Sequence, residues 1–137
     1  MPSSILVGID GSTHADKAFD YATSLAMKFE GSHLLIVNIF EKFATVGYSI
    51  TAELQKEREE MLRKYLDRAK AIGLKSVDIR EEEGSSAANQ ILDIAKRESI
   101  DTIVVGGRGQ YLAEDFLLGS TSYKLAQSAK CALVIIR

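Results

Sequence analysis

The sequence predicts an α/β fold in which a doubly wound parallel sheet carries helices on both faces. Three observations lead there. Short apolar runs of strand length recur through the chain at Ile5 to Ile9, Leu34 to Phe40, Val77 to Ile79, Thr102 to Val105 and Ala132 to Ile136. The stretches between them repeat apolar residues by threes and fours, the spacing of one helical face. These connections are too long for hairpins, so successive strands run the same way. Four of the runs read as apolar throughout, as strands covered on both sides should, whereas Ser76-Val77-Asp78-Ile79-Arg80 alternates and belongs at an edge.

The helices follow in order. Ala15, Ala18, Phe19, Ala22, Leu25, Ala26 and Phe29 form the inner face of the first, with Thr13 and Asp16 as a capping pair and Gly31 past its end. Leu54, Met61, Leu62, Tyr65, Ala69 and Ile72 mark the second, closed by Gly73, with Glu57, Arg58, Glu60, Arg63 and Lys64 on its outer face. Ala87, Ile91, Ile94 and Ala95 mark a third, with Ser85 and Ser86 as candidate caps, and Leu125, Ala126 and Ala129 a shorter fourth. The stretch from Glu41 to Ser49, which contains Gly47, reads as irregular.

At 137 residues, 46% hydrophobic and 26% charged, the chain has the size of one domain spanning residues 1–137. A net charge of −2 offers no basic field for nucleic acid, and no stretch approaches the roughly 20 apolar residues of a membrane span. Met1-Pro2-Ser3-Ser4 leads straight into an apolar run without a charged leader, so a cytoplasmic location is expected. One cysteine, Cys131, and two separated histidines, His14 and His33, build neither an internal disulfide nor a Cys/His metal cluster.

The candidate site lies in two segments that follow strand ends. Gly8-Ile9-Asp10-Gly11-Ser12 follows the first run; Gly106-Gly107-Arg108-Gly109 follows the fourth, with Gly119-Ser120-Thr121 further on at a helix start. Ligands of such sheets sit beyond the carboxyl ends of the strands, where the strand order reverses. If strands one and four are neighbours there, a carboxylate faces a glycine loop. Backbone amides without side chains approach anions closely, and the start of a helix adds unpaired N–H groups. Asp10 would repel phosphates, so its better role is to accept hydrogen bonds from ribose hydroxyls, although without the second loop it reads more readily as a turn or helix cap. Arg108 divides between phosphate contact and solvated surface charge. A Walker A loop would need a lysine after Gly119, and a dinucleotide fingerprint from Gly107 would need a small residue at Leu112; neither is present. The acidic run Glu81-Glu82-Glu83 reads as solvated or as a weak divalent-ion attractor.

The spacing of Gly106, Gly109 and Gly119-Ser120 resembles the phosphate-binding motif of the universal stress protein family, in its ATP-binding branch. The likeness extends over Ile5 to Ser12, Asp101 to Val105 and Lys130 to Arg137. It implies a five-stranded sheet ordered 3-2-1-4-5, the adenine nucleotide alpha hydrolase-like arrangement, in agreement with the edge assigned above. It also implies a nucleotide-binding set: Gly8, Ile9 and Asp10 toward ribose and adenine, main-chain groups near Ile39 at the adenine edge, and Gly106, Arg108, Gly109, Gly119, Ser120 and Thr121 around the phosphates. The ligand would be ATP, ADP or AMP, with Mg or Mn held through the phosphates. The chain departs from the family in Gln110, Glu114 and Asp115, which occupy a stretch often basic in relatives, and this bears on ATP against AMP or ADP.

Three functions follow as alternatives: a nucleotide-binding stress or signalling protein, a slow nucleotide hydrolase or transferase, and an adaptor with an empty pocket. The retained glycines favour the first, and no nucleophile stands beside a positioned base to favour the second. The final run, Ala132 to Ile136, would be a sheet edge without charges or proline, so a homodimer through that strand is expected.

Overall fold

The computed structural model describes residues 2–41, 52–107 and 119–137. Among the described residues nine elements alternate: β1 (Ser4–Gly8), α1 (Thr13–Lys28), β2 (His33–Glu41), α2 (Ala52–Ile72), β3 (Val77–Gly84), α3 (Ala87–Arg97), β4 (Thr102–Gly106), α4 (Ser120–Ser128) and β5 (Ala132–Ile136). The strands form one sheet in the order β3-β2-β1-β4-β5, and every pairing is parallel. This is the expected fold and order, with β3 at one edge and β5 at the other.

Because strand side chains alternate between faces, an unbroken apolar run supplies two cores at once. In β1, Ile5 and Val7 join Leu34, Ile36 and Val104 against Phe19 of α1 and Leu62 and Tyr65 of α2. Leu6 joins Leu35, Val37, Ile103 and Val105 against Ile91 and Ile94 of α3 and Leu125 of α4. Each such aliphatic side chain, once fully buried, contributes about 1.5–3 kcal/mol relative to exposure.

Local chemistry sets the helix ends, in part differently from the sequence reading. Ser12, not Thr13, is the N-cap of α1; its hydroxyl accepts from Ala15 N–H at 3.2 Å. Asp16 is drawn away from capping by α2: it accepts from Tyr65 Oη at 2.5 Å and pairs with Arg68 at 3.3 Å. Burial, and then the bond to the Asp16 carboxylate, push the Tyr65 phenol above its ordinary pKa. Ser86 caps α3 by accepting from Asn89 N–H at 3.3 Å. Gly31 (φ +87°) and Gly73 (φ +115°) follow α1 and α2 in the left-handed conformation that favours glycine.

Two helix assignments change. Leu54 and Ile72, expected on the inner face of α2, are 43% and 47% exposed, one in the first turn of the helix and the other its last residue. Arg58, expected on the outer face, is half-buried and turns inward to Asn38. The third strand also runs five residues past Ile79, through the acidic run, because Arg80 pairs with Glu98 and Arg97 holds Glu82 at 2.9 Å. Of the stretch read as irregular, Glu41 closes β2 and the remainder lies outside the described residues.

At the amino ends of β1 and β4, Asp101 accepts from Ser3 N–H at 2.8 Å, the Ser3 hydroxyl at 2.9 Å, the Thr102 hydroxyl at 2.9 Å and Ser4 N–H at 3.1 Å. Burial alone would raise its carboxyl pKa, but these donors outweigh it and hold the group below the ordinary value.

Candidate functional site

Strands β1 and β4 are neighbours, with Val7 beside Val104, so their carboxyl ends emerge side by side. Past the end of β1, Ile9 N–H still donates to Val37 O at 2.8 Å, and the chain then turns at Asp10. Asp10 Oδ1 accepts from Ser12 N–H at 2.9 Å and from the Ser12 hydroxyl at 2.5 Å, with Gly11 at φ +85° completing the turn. Asp10 is exposed, and its Oδ2 makes no hydrogen bond among the described residues. The residue is therefore a turn-former through one oxygen and retains an acceptor in the other.

The first turn of α1 packs onto the end of β4. A Cβ at Gly106 would lie 2.8 Å from His14 Cβ and 3.0 Å from the His14 carbonyl carbon and oxygen, so only glycine admits the helix so close. The start of α4 is tied to the same point: the Ser122 hydroxyl donates to Gly106 O at 2.7 Å. Gly107 N–H donates to Ile136 O at 2.6 Å, and Gly107 O accepts from Gly119 N–H at 2.9 Å. Gly119 is the N-cap of α4 and brings no side-chain cap; the first turn carries no acid, Ser120 is exposed and Thr121 is half-buried. The opening N–H groups of such a helix have no acceptor within it, so together with the dipole they form a place for an anion.

The structure thus brings Gly8, Ile9 and Asp10 to the same end of the sheet as Gly106, Gly119, Ser120 and Thr121, linked through His14 and Ser122. Ile39 stands one strand over, half-buried near the end of β2. Gly8 is closely packed as well: a Cβ there would lie 3.3 Å from Val105 Cγ1. Arg108 and Gly109 lie outside the described residues, as do Gln110, Leu112, Glu114 and Asp115.

Sequence reasoning missed Asn38, counted within an apolar run. Its side chain is buried, with Nδ2 donating to Ile9 O at 2.7 Å. Its Oδ1 accepts from Arg58 Nε at 2.9 Å and from Arg58 Nη2, and the guanidinium lies 4.5 Å from the centre of the Phe40 ring. The one available signal was the single polar residue in Leu34-Leu35-Ile36-Val37-Asn38-Ile39-Phe40.

Other chemistry lies elsewhere. At the opposite ends of the strands, His33 Nδ1 meets Ser76 Oγ at 2.6 Å and His33 Nε2 lies 3.4 Å from Asp78. This nucleophile-base-acid order sits on open surface, the Asp78 side chain being 72% exposed, so among the described residues nothing there encloses a substrate. A cavity of about 400 Å3 between α2 and β3 is lined by Glu59, Leu62, Arg63, Ile79, Glu81 and Glu83, a lining that repels phosphates more than it attracts them. Among the described residues no three His, Cys, Asp or Glu side chains converge as metal ligands, and no helix is long and apolar enough to cross a membrane. Cys131 is half-buried, and burial pushes its thiol pKa up, which disfavours the reactive thiolate.

Comparison with known proteins agrees with this fold and extends it. A Staphylococcus epidermidis protein assigned to the universal stress proteins is 32% identical over 97% of this chain and 82% of its own length. A solved universal stress protein in complex with cAMP is 25% identical, superposes with a TM-score of 0.78, and is matched over 99% of this chain and 97% of that one. A protein of the same family from Burkholderia pseudomallei is 27% identical with a TM-score of 0.75, over 98% and 95% of the two chains. The universal stress protein family model matches residues 1–137. The chain belongs to the universal stress protein family.

Proposed function

We propose that this protein binds an adenine nucleotide at the carboxyl ends of β1 and β4 and acts in stress response or signalling through a nucleotide-dependent shape or partner. The observation that carries the reading is the convergence, at one point of the sheet, of an acceptor at Asp10 and an uncapped helix start at Ser120. The two fit opposite ends of one ligand, ribose hydroxyls needing an acceptor and phosphates needing donors. The relative solved with cAMP supports the class of ligand. In this reading Gly8, Ile9, Asp10 and Ile39 form the nucleoside end, while Gly106, Gly119, Ser120 and Thr121, with Arg108 and Gly109, form the phosphate end. The ligand is ATP, ADP or AMP, and Mg or Mn, when bound, neutralises the outer phosphates. The protein's part is to bind and orient; it works in the cytoplasm.

Native mass spectrometry of protein purified without added nucleotide, followed by calorimetry with AMP, ADP and ATP, tests this. A retained adenine nucleotide, or binding of any of the three, is expected; no binding at millimolar ligand refutes the proposal. Asp10→Asn separates the two ends. It keeps Oδ1 for the Ser12 turn and replaces the open acceptor with a donor, so AMP affinity should fall about 10- to 100-fold, the equivalent of about 1–3 kcal/mol. Inorganic triphosphate should change less than about twofold, since it carries no ribose to lose. Equal tightening of every phosphate ligand would place the carboxylate among the phosphates instead.

The protein is further proposed to form a homodimer through β5. Leu133, Val134, Ile135 and Ile136 are only half-buried, an apolar edge that an antiparallel copy would cover. Ala132 N–H donates to Asp101 O and Ile136 O accepts from Gly107, so alternate residues face β4 and the N–H groups of Leu133 and Ile135 point outward. Leu133→Pro should therefore yield monomer in sedimentation equilibrium while the inner ladder persists. Wild-type protein that stays monomeric at high micromolar concentration would rule the interface out.

A further inference from the structure

The β1–β2 ladder stops one bond early, and a side chain stops it. With Gly8 beside Val37, parallel geometry has Ile9 N–H donate to Val37 O, as it does, and would next have Ile39 N–H donate to Ile9 O. That next bond is not formed. The Ile9 carbonyl instead accepts from Asn38 Nδ2 at 2.7 Å. Asn38 cannot turn over to release it. Its Oδ1 faces the Arg58 guanidinium, which only donates, and its Nδ2 faces a carbonyl, which only accepts, so both partners dictate the same orientation. The amide is 6% exposed, and an unanswered polar atom there would be costly. Arg58 is itself held over the Phe40 ring, which anchors the arrangement to α2.

We infer that Asn38 is a positioning residue for the nucleoside end of the site: by occupying the Ile9 carbonyl it keeps the Ile39 peptide N–H open beside the Asp10 turn, as a donor for a ring nitrogen of a heteroaromatic base. The inference rests on the proposed nucleotide site and assigns the base end of it a cause. Ile39 lies in the strand segment where β1 has already turned away, so its peptide edge faces the space beyond Ile9 instead of a neighbouring strand. The site thus uses main chain for the base and pays no side-chain ordering entropy at that contact.

The test is Asn38→Asp, which preserves an acceptor for Arg58 and removes the donor to Ile9. The freed Ile9 carbonyl then takes Ile39 N–H, and the ladder closes. Amide hydrogen exchange of ligand-free protein, read residue by residue by NMR, should be slower at Ile39 in the variant than in wild type. A merely structural role for Asn38 would loosen the strand end and make that exchange faster, the opposite sign. AMP affinity should fall about tenfold with inorganic triphosphate unchanged, as expected for one lost base contact. The double variant Asn38→Val with Arg58→Met removes the amide together with the cation it serves and should give the same slowing at Ile39. Faster or unchanged exchange at Ile39 in both variants overturns the inference. Wild-type protein that fails to bind AMP overturns the nucleotide reading, and the exchange result still decides whether Asn38 holds the Ile39 peptide open.

Discussion

Ser120→Asp is expected to weaken AMP binding about 100-fold while leaving the domain as stable as wild type or slightly more so. The two effects have one origin. Ser120 is the exposed first residue of α4, where the N-cap Gly119 supplies no side chain and the first turn no acid. A carboxylate there complements the helix dipole and satisfies orphan N–H groups, which stabilises such helices by about 0.3–1 kcal/mol. The same charge about 5 Å from a phosphate repels it by about 3 kcal/mol at an effective dielectric constant near 20, which is roughly two orders of magnitude in affinity. Calorimetry with AMP and a thermal melt read the two signs separately. A variant that melts like wild type and binds AMP equally well would show that the phosphates do not sit at α4.

Gly106→Ala should cost about 2 kcal/mol of stability and lower Tm by roughly 6–10 °C, with the far-ultraviolet dichroism of the folded state preserved. The added methyl group meets His14 Cβ at 2.8 Å and the His14 carbonyl at 3.0 Å, and backbone cannot swing aside as a flexible side chain would. The first turn of α1 must lift from β4. That turn carries Ser12, which holds Asp10, so AMP affinity should fall with stability. A melting temperature within about 2 °C of wild type would mean that α1 rests less firmly on β4 than the contacts require. This glycine was legible as part of a phosphate motif, but the packing of α1 alone is reason enough for it.

The fold was legible because its information is carried by long apolar runs and regular spacing, which local sequence displays directly. The alternating β3 declared itself an edge in the same way. What could not be read depends on partners distant in the chain. Arg58 looks outward in a helical projection and turns inward only because Asn38, twenty residues earlier, offers an acceptor. The acidic run after Ile79 looks like a solvated loop until Arg97 and Gln90 of α3 are placed against Glu82. Thr13 and Asp16 fit a capping pair, but Asp16 is claimed by Tyr65 and Arg68, forty-nine and fifty-two residues away, while Ser12 is set in place by Asp10. Of the candidate site, Asp10 and the glycines were legible as chemistry; that Asn38 ends the ladder before Ile39 was not, since no periodicity records a side chain standing in for a peptide.

The two-sided burial of β1 has a consequence for how its alignment is chosen. In a strand with one wet face, sliding by a single residue exposes every apolar group, and the hydrophobic pattern forbids it. Ile5, Leu6 and Val7 are all fully buried, so the same slide would exchange one apolar side chain for another on each face and meet little resistance from solvent. The discrimination falls instead to polar groups at the two ends of the strand. Asp101 gathers the amides of Ser3 and Ser4 at one end, and Asn38 takes the carbonyl of Ile9 at the other. A shift of one residue would strand both sets at once. These polar residues add little to the apolar burial that holds the sheet together; they select the single alignment in which that burial leaves the ends of β1 and β4 level.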